Sequence, residues 1–176
     1  MKFLWTAFAI GSALFAWFSW AASLRARRYH GISRFFAFEG ILALFLLNIH
    51  VWFRDPWSPL QVLSWILLIG SAALAVGAIH LYHELASPSG QFENSTCLVE
   101  SGPFRFIRHP MYGSLILLGL GIYLKRVTVL TSALAIVVVI ALFVTALIEE
   151  REMLARFGEE YAVYMRRTKR FIPFLL

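Results

Sequence analysis

The chain has 176 residues, of which 60% are hydrophobic and 15% charged, and its formal net charge is +6 at pH 7. This composition is too apolar for an ordinary soluble domain and indicates an integral membrane protein. The only cysteine is Cys97, so an internal disulfide and a thiolate metal cluster are both excluded. The basic residues do not alternate with aromatic ones in the manner of an RNA-binding surface, so no nucleic-acid partner is expected.

Apolar stretches predict an all-α protein with about five transmembrane helices, because roughly 20 apolar residues cross the hydrocarbon core. The second stretch carries Glu39, Asn48 and His50, which are candidates for a substrate cavity or for hydrogen bonds between helices. The fourth stretch is short, and only Lys125 and Arg126 separate it from the fifth, so we expect a tight helical hairpin. The predicted spans are residues 3–24, 35–53, 60–85, 111–124 and 127–148.

The first stretch also has features of a signal peptide, since Lys2 precedes an apolar run. It is longer than a typical signal-peptide core, however, and four residues rich in arginine follow it without a small-residue cleavage site. We therefore expect an uncleaved helix.

Basic residues predict the orientation of the bundle. With five spans, 12 of the 16 Lys and Arg residues fall on one side of the membrane and 4 on the other. The positive-inside rule then places the N-terminus outside and residues 102–112 and the C-terminal tail in the cytoplasm. Attraction to anionic lipid accounts for the positive net charge.

A polar segment lies directly before the fourth predicted helix. Pro110 suits the first turn of a helix and disfavours helical geometry at His109, so His109 is expected at the helix N-terminus. Unpaired backbone N–H groups there favour electron-rich ligand atoms. Arg105 and Arg108 can reach a bound ligand or, alternatively, lipid phosphates, with His109 a simple interfacial residue.

Glu149 and Glu150 follow the fifth predicted span directly. Two adjacent carboxylates near the negative end of a helix dipole need a compensating group. Arg151 is one candidate for that group, and the hydroxyl or ammonium groups of a ligand are the other.

Three polar residues end the third predicted span, namely His80, His83 and Glu84. Their spacing is similar to that of metal ligands on a helix, but no distant further ligand is evident, so no metal is expected. They are candidates for the floor of a substrate site.

An apolar stripe after residue 148 predicts an amphipathic C-terminal helix that continues or abuts the fifth span. Met153, Phe157, Tyr161 and Tyr164 form this stripe. Pro173 is expected to end the helix.

Two motifs together resemble the isoprenylcysteine carboxyl methyltransferase family and its phospholipid methyltransferase relatives. The first is LVESGPFRFIRHPMYGS, residues 98–114, and the second, about forty residues later, is EEREMLARFGEEYAVYMRRTKRFIP. The resemblance covers about the last eighty residues. It implies an integral membrane enzyme that takes S-adenosylmethionine from the cytosol and methylates a lipophilic acceptor from the bilayer.

The resemblance also implies roles for individual residues. Together with the polar segments described above, it predicts that Arg108, His109 and Glu149 form the catalytic group and that Arg105, Thr145 and His83 meet the substrate. The cofactor would be held by Thr96, Cys97, Leu98, Val99, Phe104, His109, Pro110, Met111, Tyr112, Glu149 and Glu150.

One position departs from the family pattern. Relatives that methylate a prenylcysteine carboxylate carry arginine where this chain has Thr145, and a carboxylate in a membrane pocket needs a cationic partner. The acceptor therefore stays open between an isoprenylcysteine carboxylate, a phospholipid amine and another small lipophilic molecule. Two other functions compete with methyl transfer, namely a nicotinamide-dependent reductase of the sterol type and a non-enzymatic membrane scaffold.

The motifs also suggest two regions along the chain. Residues 1–86 would form an N-terminal region of three transmembrane helices. Residues 87–176 would form the catalytic region, with the helical hairpin and the C-terminal helix.

Overall fold

The computed structural model describes residues 2–85 and 98–173. Along these residues the regular secondary structure is helical, apart from one isolated bridge between Ile107 and Lys169. Short 3-10 helices add single turns at Leu24–Ala26, Ile49–Val51 and Gly102–Arg105. The α-helices are α1 (Lys2–Ala22), α2 (His30–Asn48), α3 (Pro59–Leu85), α4 (Pro110–Tyr123), α5 (Val129–Phe157) and α6 (Glu159–Arg167).

Four of these helices, α1, α2, α3 and α5, are long and apolar enough to cross a membrane. The all-helical membrane architecture is therefore confirmed. Helix α4 has 14 residues, which is about 21 Å of helix against a hydrocarbon core of about 30 Å. The count of five spans depends on this short helix and stays a prediction.

Hydrogen bonds between helices give the packing directions. Ser64 Oγ donates to the Gly121 carbonyl at 2.6 Å, and Ser71 Oγ donates to the Ser114 carbonyl at 2.7 Å. Residue numbers rise along α3 while those of its partners fall along α4, so the two helices are antiparallel. Serine hydroxyls of this kind join helices where lipid offers no water.

Helices α2, α4 and α5 share the main core, which surrounds Leu44, Val138 and Leu142. Helix α1 packs on α2 at the edge of the bundle and exposes Phe3, Trp5 and other large apolar side chains, as a lipid-facing helix does. Successive helices run antiparallel, so the start of α4 and the end of α5 lie at the same end of the bundle.

The C-terminal helices agree with the sequence predictions in one respect and differ in another. Helix α5 continues beyond residue 148 to Phe157, as in the alternative that the C-terminal helix continues the fifth span, and Gly158, with φ 56° and ψ −128°, separates it from α6. Helix α6 ends at Arg167 rather than at Pro173, because Thr168 is extended and begins a short pairing with residues 106–109. The stripe predicted on one C-terminal helix is thus divided between α5 and α6.

The start of α2 also differs. Helix α2 begins at His30 rather than at residue 35, and its last turn gives way to the 3-10 helix Ile49–Val51. The proposed division at residue 86 stays a prediction. Helices α2 and α3 of the first region pack directly on α5 and α4 of the second.

Candidate active site

Backbone hydrogen bonds join the segment before α4 to the chain after α6. The Arg108 N–H donates to the Lys169 carbonyl at 2.7 Å, and the His109 N–H donates to the Arg170 carbonyl at 3.1 Å. In return the Lys169 N–H donates to the Phe106 carbonyl at 3.1 Å. The two polar segments of the sequence are therefore held side by side at the start of α4.

Gly102 permits the close approach of this segment to α3. Its φ of +55° is left-handed, and a Cβ added there would lie 2.8 Å from Leu81 Cδ2. A larger residue at position 102 would be strained in its backbone and would collide with α3. The 3-10 helix that follows is in this way fixed against the end of α3.

Glu150 is the centre of a buried ion-pair cluster. Its Oε1 accepts from Arg108 Nε at 2.9 Å, and its Oε2 lies 2.9 Å from Arg170 Nη2. Only 4% of the Glu150 side chain and 7% of that of Arg108 are exposed. Two guanidiniums from separate segments thus converge on one carboxylate at the end of α5. Arg151 and a ligand were the two candidates for the compensating group, and for Glu150 the cations are instead Arg108 and Arg170.

Arg108 also secures the end of α6. Its Nη1 donates to the carbonyls of Met165 and Thr168. Because its Nε is already bound to Glu150, the Arg108 side chain links α5, α6 and the start of α4. Such a buried, fully engaged guanidinium fixes the geometry of the surrounding segments.

His109 and Glu149 lie beside this cluster and are less fully engaged. His109 Nδ1 lies 3.8 Å from Glu149 Oε2, and its Nε2 lies 3.5 Å from Glu150 Oε1. Among the described residues, neither His109 Nε2 nor Glu149 Oε2 has a hydrogen-bond partner, although both atoms are buried. The Glu149 side chain as a whole is 30% exposed. Unsatisfied buried polar atoms are costly, so these two are expected to meet a ligand or water.

Aromatic rings surround the His109 imidazole. Tyr112 stacks on it with the centroids 5.5 Å apart and 20° between the planes, and Phe171 lies 6.2 Å away. Phe143 of α5 packs on Phe171 and lies under the Arg170 guanidinium. These rings restrict water and lower the local dielectric around the polar atoms.

Two tyrosines of α6 complete the end of the bundle. Tyr164 Oη donates to the Phe104 carbonyl at 2.7 Å, and Tyr161 packs beside it with ring centroids 5.8 Å apart. Burial raises the pKa of both phenols above the ordinary value, so both hydroxyls stay protonated at neutral pH. Tyr164 thereby holds the 3-10 helix against α6.

The other residues assigned to the cofactor have different positions. Val99 and Phe104 are buried in a small core with Ala78, against which Met111 packs. Pro110 is buried in the first turn of α4, and Leu98 is half-buried. Thr96 and Cys97 lie outside the described residues, so their assignment stays a prediction.

The three residues assigned to the substrate differ in burial and contacts from those of the cluster. Arg105 is exposed, with its guanidinium over Phe106, and His83 is exposed near the end of α3. Thr145 is fully buried, donates to the Ala141 carbonyl at 2.7 Å and lies 2.9 Å from Ser33 Oγ of α2. Its hydroxyl is thus used in packing α5 against α2.

The polar residues of the second span are used between helices. Ser12 Oγ donates to Glu39 Oε2 at 2.7 Å, and Asn48 Nδ2 donates to the Ile122 carbonyl at 2.9 Å. His50 contacts Arg126 at the opposite end of the bundle from His109. Glu39 Oε1 and Asn48 Oδ1 are buried without a hydrogen-bond partner among the described residues. Each residue thus makes one helix-to-helix hydrogen bond, and the alternative of a substrate cavity stays open for both.

Sequence reasoning missed Arg170 and Phe171. In the sequence Arg170 is one of several basic residues of the tail, which are typical of a solvated cytoplasmic segment. Its role depends on the extended pairing of residues 168–170 with residues 106–109, a contact between distant segments.

The fold and the site define a helical membrane protein. At one end of the bundle it has a buried ion-pair cluster and, beside it, buried polar atoms of His109 and Glu149 without a hydrogen-bond partner in the described residues. A comparison with protein-family models identifies the family of this chain. The phospholipid methyltransferase model matches residues 60–160, more than half of the chain, and the chain belongs to this family. None of the curated proteins compared with the chain matches it.

Proposed function

We propose that the protein is an S-adenosylmethionine-dependent membrane methyltransferase that acts on a lipophilic acceptor. The observation that carries the proposal is the pairing of His109 and Glu149, whose buried Nε2 and Oε2 atoms have no hydrogen-bond partner in the described residues. Both residues lie within residues 60–160, the range that the phospholipid methyltransferase model matches. The proposals below on cofactor contacts, acceptor class and position in the bilayer depend on this one.

The residues present fit the cofactor. A carboxylate at Glu149 suits the ribose hydroxyls or the ammonium group of S-adenosylmethionine, and the unpartnered His109 Nε2 offers a further polar contact. When bound, the cofactor supplies a methyl group activated by its positive sulfur. Thr96, Cys97, Leu98 and Val99 are proposed to line the adenine, as the family resemblance implies.

The protein contributes position and a dry environment rather than proton chemistry. Glu150, clamped by Arg108 and Arg170, fixes the turn of α5 that carries it and therefore the direction of the adjacent Glu149. Stacking on Tyr112 fixes the His109 ring in the same way. A methyl transfer needs its reacting atoms in line with water excluded, and rigid neighbours serve both needs.

The site favours an amine or a neutral acceptor over a carboxylate. Both guanidiniums of the cluster are bound to Glu150, and Thr145 supplies no positive charge. A carboxylate acceptor would therefore add a second negative charge beside Glu149 without a committed cation. A lipid amine would instead be attracted by Glu149.

The site is proposed to lie at the cytoplasmic surface of the bilayer. A span of about 20 residues that starts at Val129 is complete at Ile148, directly before Glu149. The carboxylates are then at the level of the headgroups, where a water-soluble donor and a lipid acceptor can both arrive. The excess of basic residues at this end favours the cytoplasmic side.

The test uses the purified full chain in lipid nanodiscs with methyl-labelled S-adenosylmethionine. Phosphatidylethanolamine, a prenylcysteine and a sterol are offered separately, and labelled reduced nicotinamide is offered in a parallel reaction. We expect label in the organic phase with the amine lipid, and none in Glu149→Ala. Hydride label in a sterol would instead establish a reductase. Absence of cofactor binding by calorimetry would contradict the proposal and favour a scaffold.

A further inference from the structure

A polar cavity lies at the end of the bundle opposite to His109. Its volume is about 430 Å³, and it opens between the chain that joins α2 to α3 and the turn that joins α4 to α5. Its polar lining residues include His50, Arg54, Asp55, Gln61, Lys125 and Arg126. The proposed methyl-transfer site does not use any of them.

The lining carries an excess of positive charge. Three cationic side chains, those of Arg54, Lys125 and Arg126, face one carboxylate, that of Asp55, among the described lining residues. The ion pairs within the described residues do not join Asp55 to any of these cations. The described lining residues therefore carry a formal net charge of +2.

Lys125 is the most informative of the three cations. Only 4% of the residue is exposed, yet its Nζ is bound to an uncharged group, Gln61 Oε1, at 3.1 Å. The Nζ also lies 3.8 Å from the centroid of the Trp65 ring and 5.4 Å from that of Trp52. Burial lowers the pKa of the Lys125 ammonium because these neutral partners do not fully replace water. A buried ammonium in this setting would be stabilised by an anion.

Gln61 fixes this arrangement rather than competing with a ligand. Its Nε2 donates to the Lys125 carbonyl at 2.9 Å while its Oε1 accepts from the Lys125 ammonium, so the two residues are paired reciprocally. The ammonium position is thereby set before any ligand arrives. A preformed cationic site loses little freedom on binding.

Exposed aromatic residues place the cavity at the level of lipid headgroups. Phe53 is 77% and Trp57 is 89% exposed, and both lie in the connection that carries Arg54. Aromatic side chains of this kind are enriched where a membrane meets water. Arginines beside them are suited to reach phosphate groups, since a guanidinium offers paired donors.

We propose that this cavity binds a phosphate-type anion through Arg54, Lys125 and Arg126, supplied either by a lipid headgroup or by free phosphate. The site is separate from the methyl-transfer site, because α4 and α5 carry the two at opposite ends. Its occupant is therefore a bound lipid or ion rather than the molecule undergoing reaction.

The test measures thermal unfolding of the purified full chain in detergent micelles. Dioleoyl phosphatidic acid is added in one arm, dioleoylglycerol in the second and inorganic phosphate in the third. We expect phosphatidic acid to raise Tm by roughly 5 °C at saturation, since a ligand that binds only the folded state stabilises it. Dioleoylglycerol, which lacks the phosphate, is expected to leave Tm unchanged.

Variants test whether the shift in Tm depends on the cations of this cavity or only on the overall positive charge of this end of the bundle. The double variant Arg54→Gln, Arg126→Gln removes two exposed cations without disturbing the core, and at least tenfold more phosphatidic acid should be needed for the same shift. Lys125→Met keeps the apolar stem and should weaken binding in the same direction. Lys2→Gln, which removes a cation at the same end of the bundle but outside the cavity, should have no effect.

Each outcome decides the proposal. A shift with phosphatidic acid alone identifies a lipid headgroup, and a shift with inorganic phosphate as well identifies an anion site open to either source. An equal shift with dioleoylglycerol, or an unchanged response in the double variant, overturns the proposal. Because the readout is binding rather than methyl transfer, failure here leaves the proposed function untouched.

Discussion

His109 Nδ1 lies 3.8 Å from Glu149 Oε2, although the first residue precedes α4 and the second lies near the end of α5. Two polar segments that are distant in the sequence thus converge at one end of a membrane bundle. The convergence depends on the antiparallel hairpin of α4 and α5 and on the return of residues 168–170 to the start of α4. Adjacent glutamates consequently have different environments, and different effects are expected when each is changed.

Glu149→Gln should abolish high-affinity cofactor binding without unfolding the protein. The Glu149 side chain is partly exposed and lacks a strong internal partner, so its loss should change the free energy of unfolding by less than about 0.5 kcal/mol. Losing a charged hydrogen bond to the ligand should cost about 2 kcal/mol, or roughly thirtyfold in Kd. Calorimetry with S-adenosylmethionine, beside a thermal melt, checks both numbers. Tight binding by this variant would remove Glu149 from the site.

Glu150→Gln should act mainly on stability. The substitution leaves Arg108 and Arg170 without their shared carboxylate in a buried setting, which costs about 3 kcal/mol. Denaturant unfolding in mixed micelles measures the loss. Glu159→Gln is the matched control, because Glu159 pairs with Arg166 on the exposed surface of α6 and should cost little. Equal losses in the two variants would show that the cluster is not a structural clamp.

His109→Phe separates stacking from polarity at the start of α4. Phenylalanine retains a ring over Tyr112 but has no nitrogen to face Glu149 or a ligand. We expect cofactor binding to weaken about tenfold, the effect of one lost hydrogen bond of about 1.4 kcal/mol, while Tm stays close to that of the wild type. His80→Phe, on the exposed part of α3, serves as the control. Unaltered affinity in His109→Phe would mean that His109 acts through packing alone.

Thr145→Val tests whether this residue meets the substrate. Its hydroxyl contacts the Ala141 carbonyl and Ser33 Oγ inside the bundle, so the expected loss is about 1 kcal/mol of stability with methyl transfer retained. Thr6→Val on α1 is the control, because Thr6 makes a similar bond to the carbonyl four residues earlier but is exposed. A changed preference among acceptors, at unchanged stability, would restore Thr145 to the substrate site.

Hydropathy predicted the membrane architecture because lipid imposes a length and an apolar composition on every span. Hydropathy located the ends of the helices less accurately than it located the spans. The end of α6 at Arg167 depends on the extended backbone of Thr168 and on pairing with residues 106–109. That pairing is a contact between segments, which local patterns do not encode.

The motif at His109 and Pro110 predicted the start of α4, since proline at the first helical turn has a local physical cause. The same reasoning did not predict the partners of Glu150. Arg151 is its neighbour in sequence, yet the compensating cations are Arg108 and Arg170. The ion pairs of a carboxylate depend on which side chains are close to it in the folded chain, and sequence neighbours need not be among them. In the sequence, the tail that supplies Arg170 is typical of a solvated basic segment.

Tyr164→Phe should loosen the segment that carries His109. The Tyr164 hydroxyl donates to the buried Phe104 carbonyl at 2.7 Å, and burial keeps this phenol protonated because it raises the pKa. Removal of the hydroxyl leaves that carbonyl unpaired and should cost about 1–2 kcal/mol of stability. Tyr29→Phe is the control, since Tyr29 is 65% exposed. Hydrogen exchange should quicken at residues 102–109 in Tyr164→Phe and not in the control. The cofactor Kd should rise only modestly, because no ligand contact is lost. Exchange that quickens evenly along the chain would instead indicate a general loss of stability, with no particular coupling between α6 and the site.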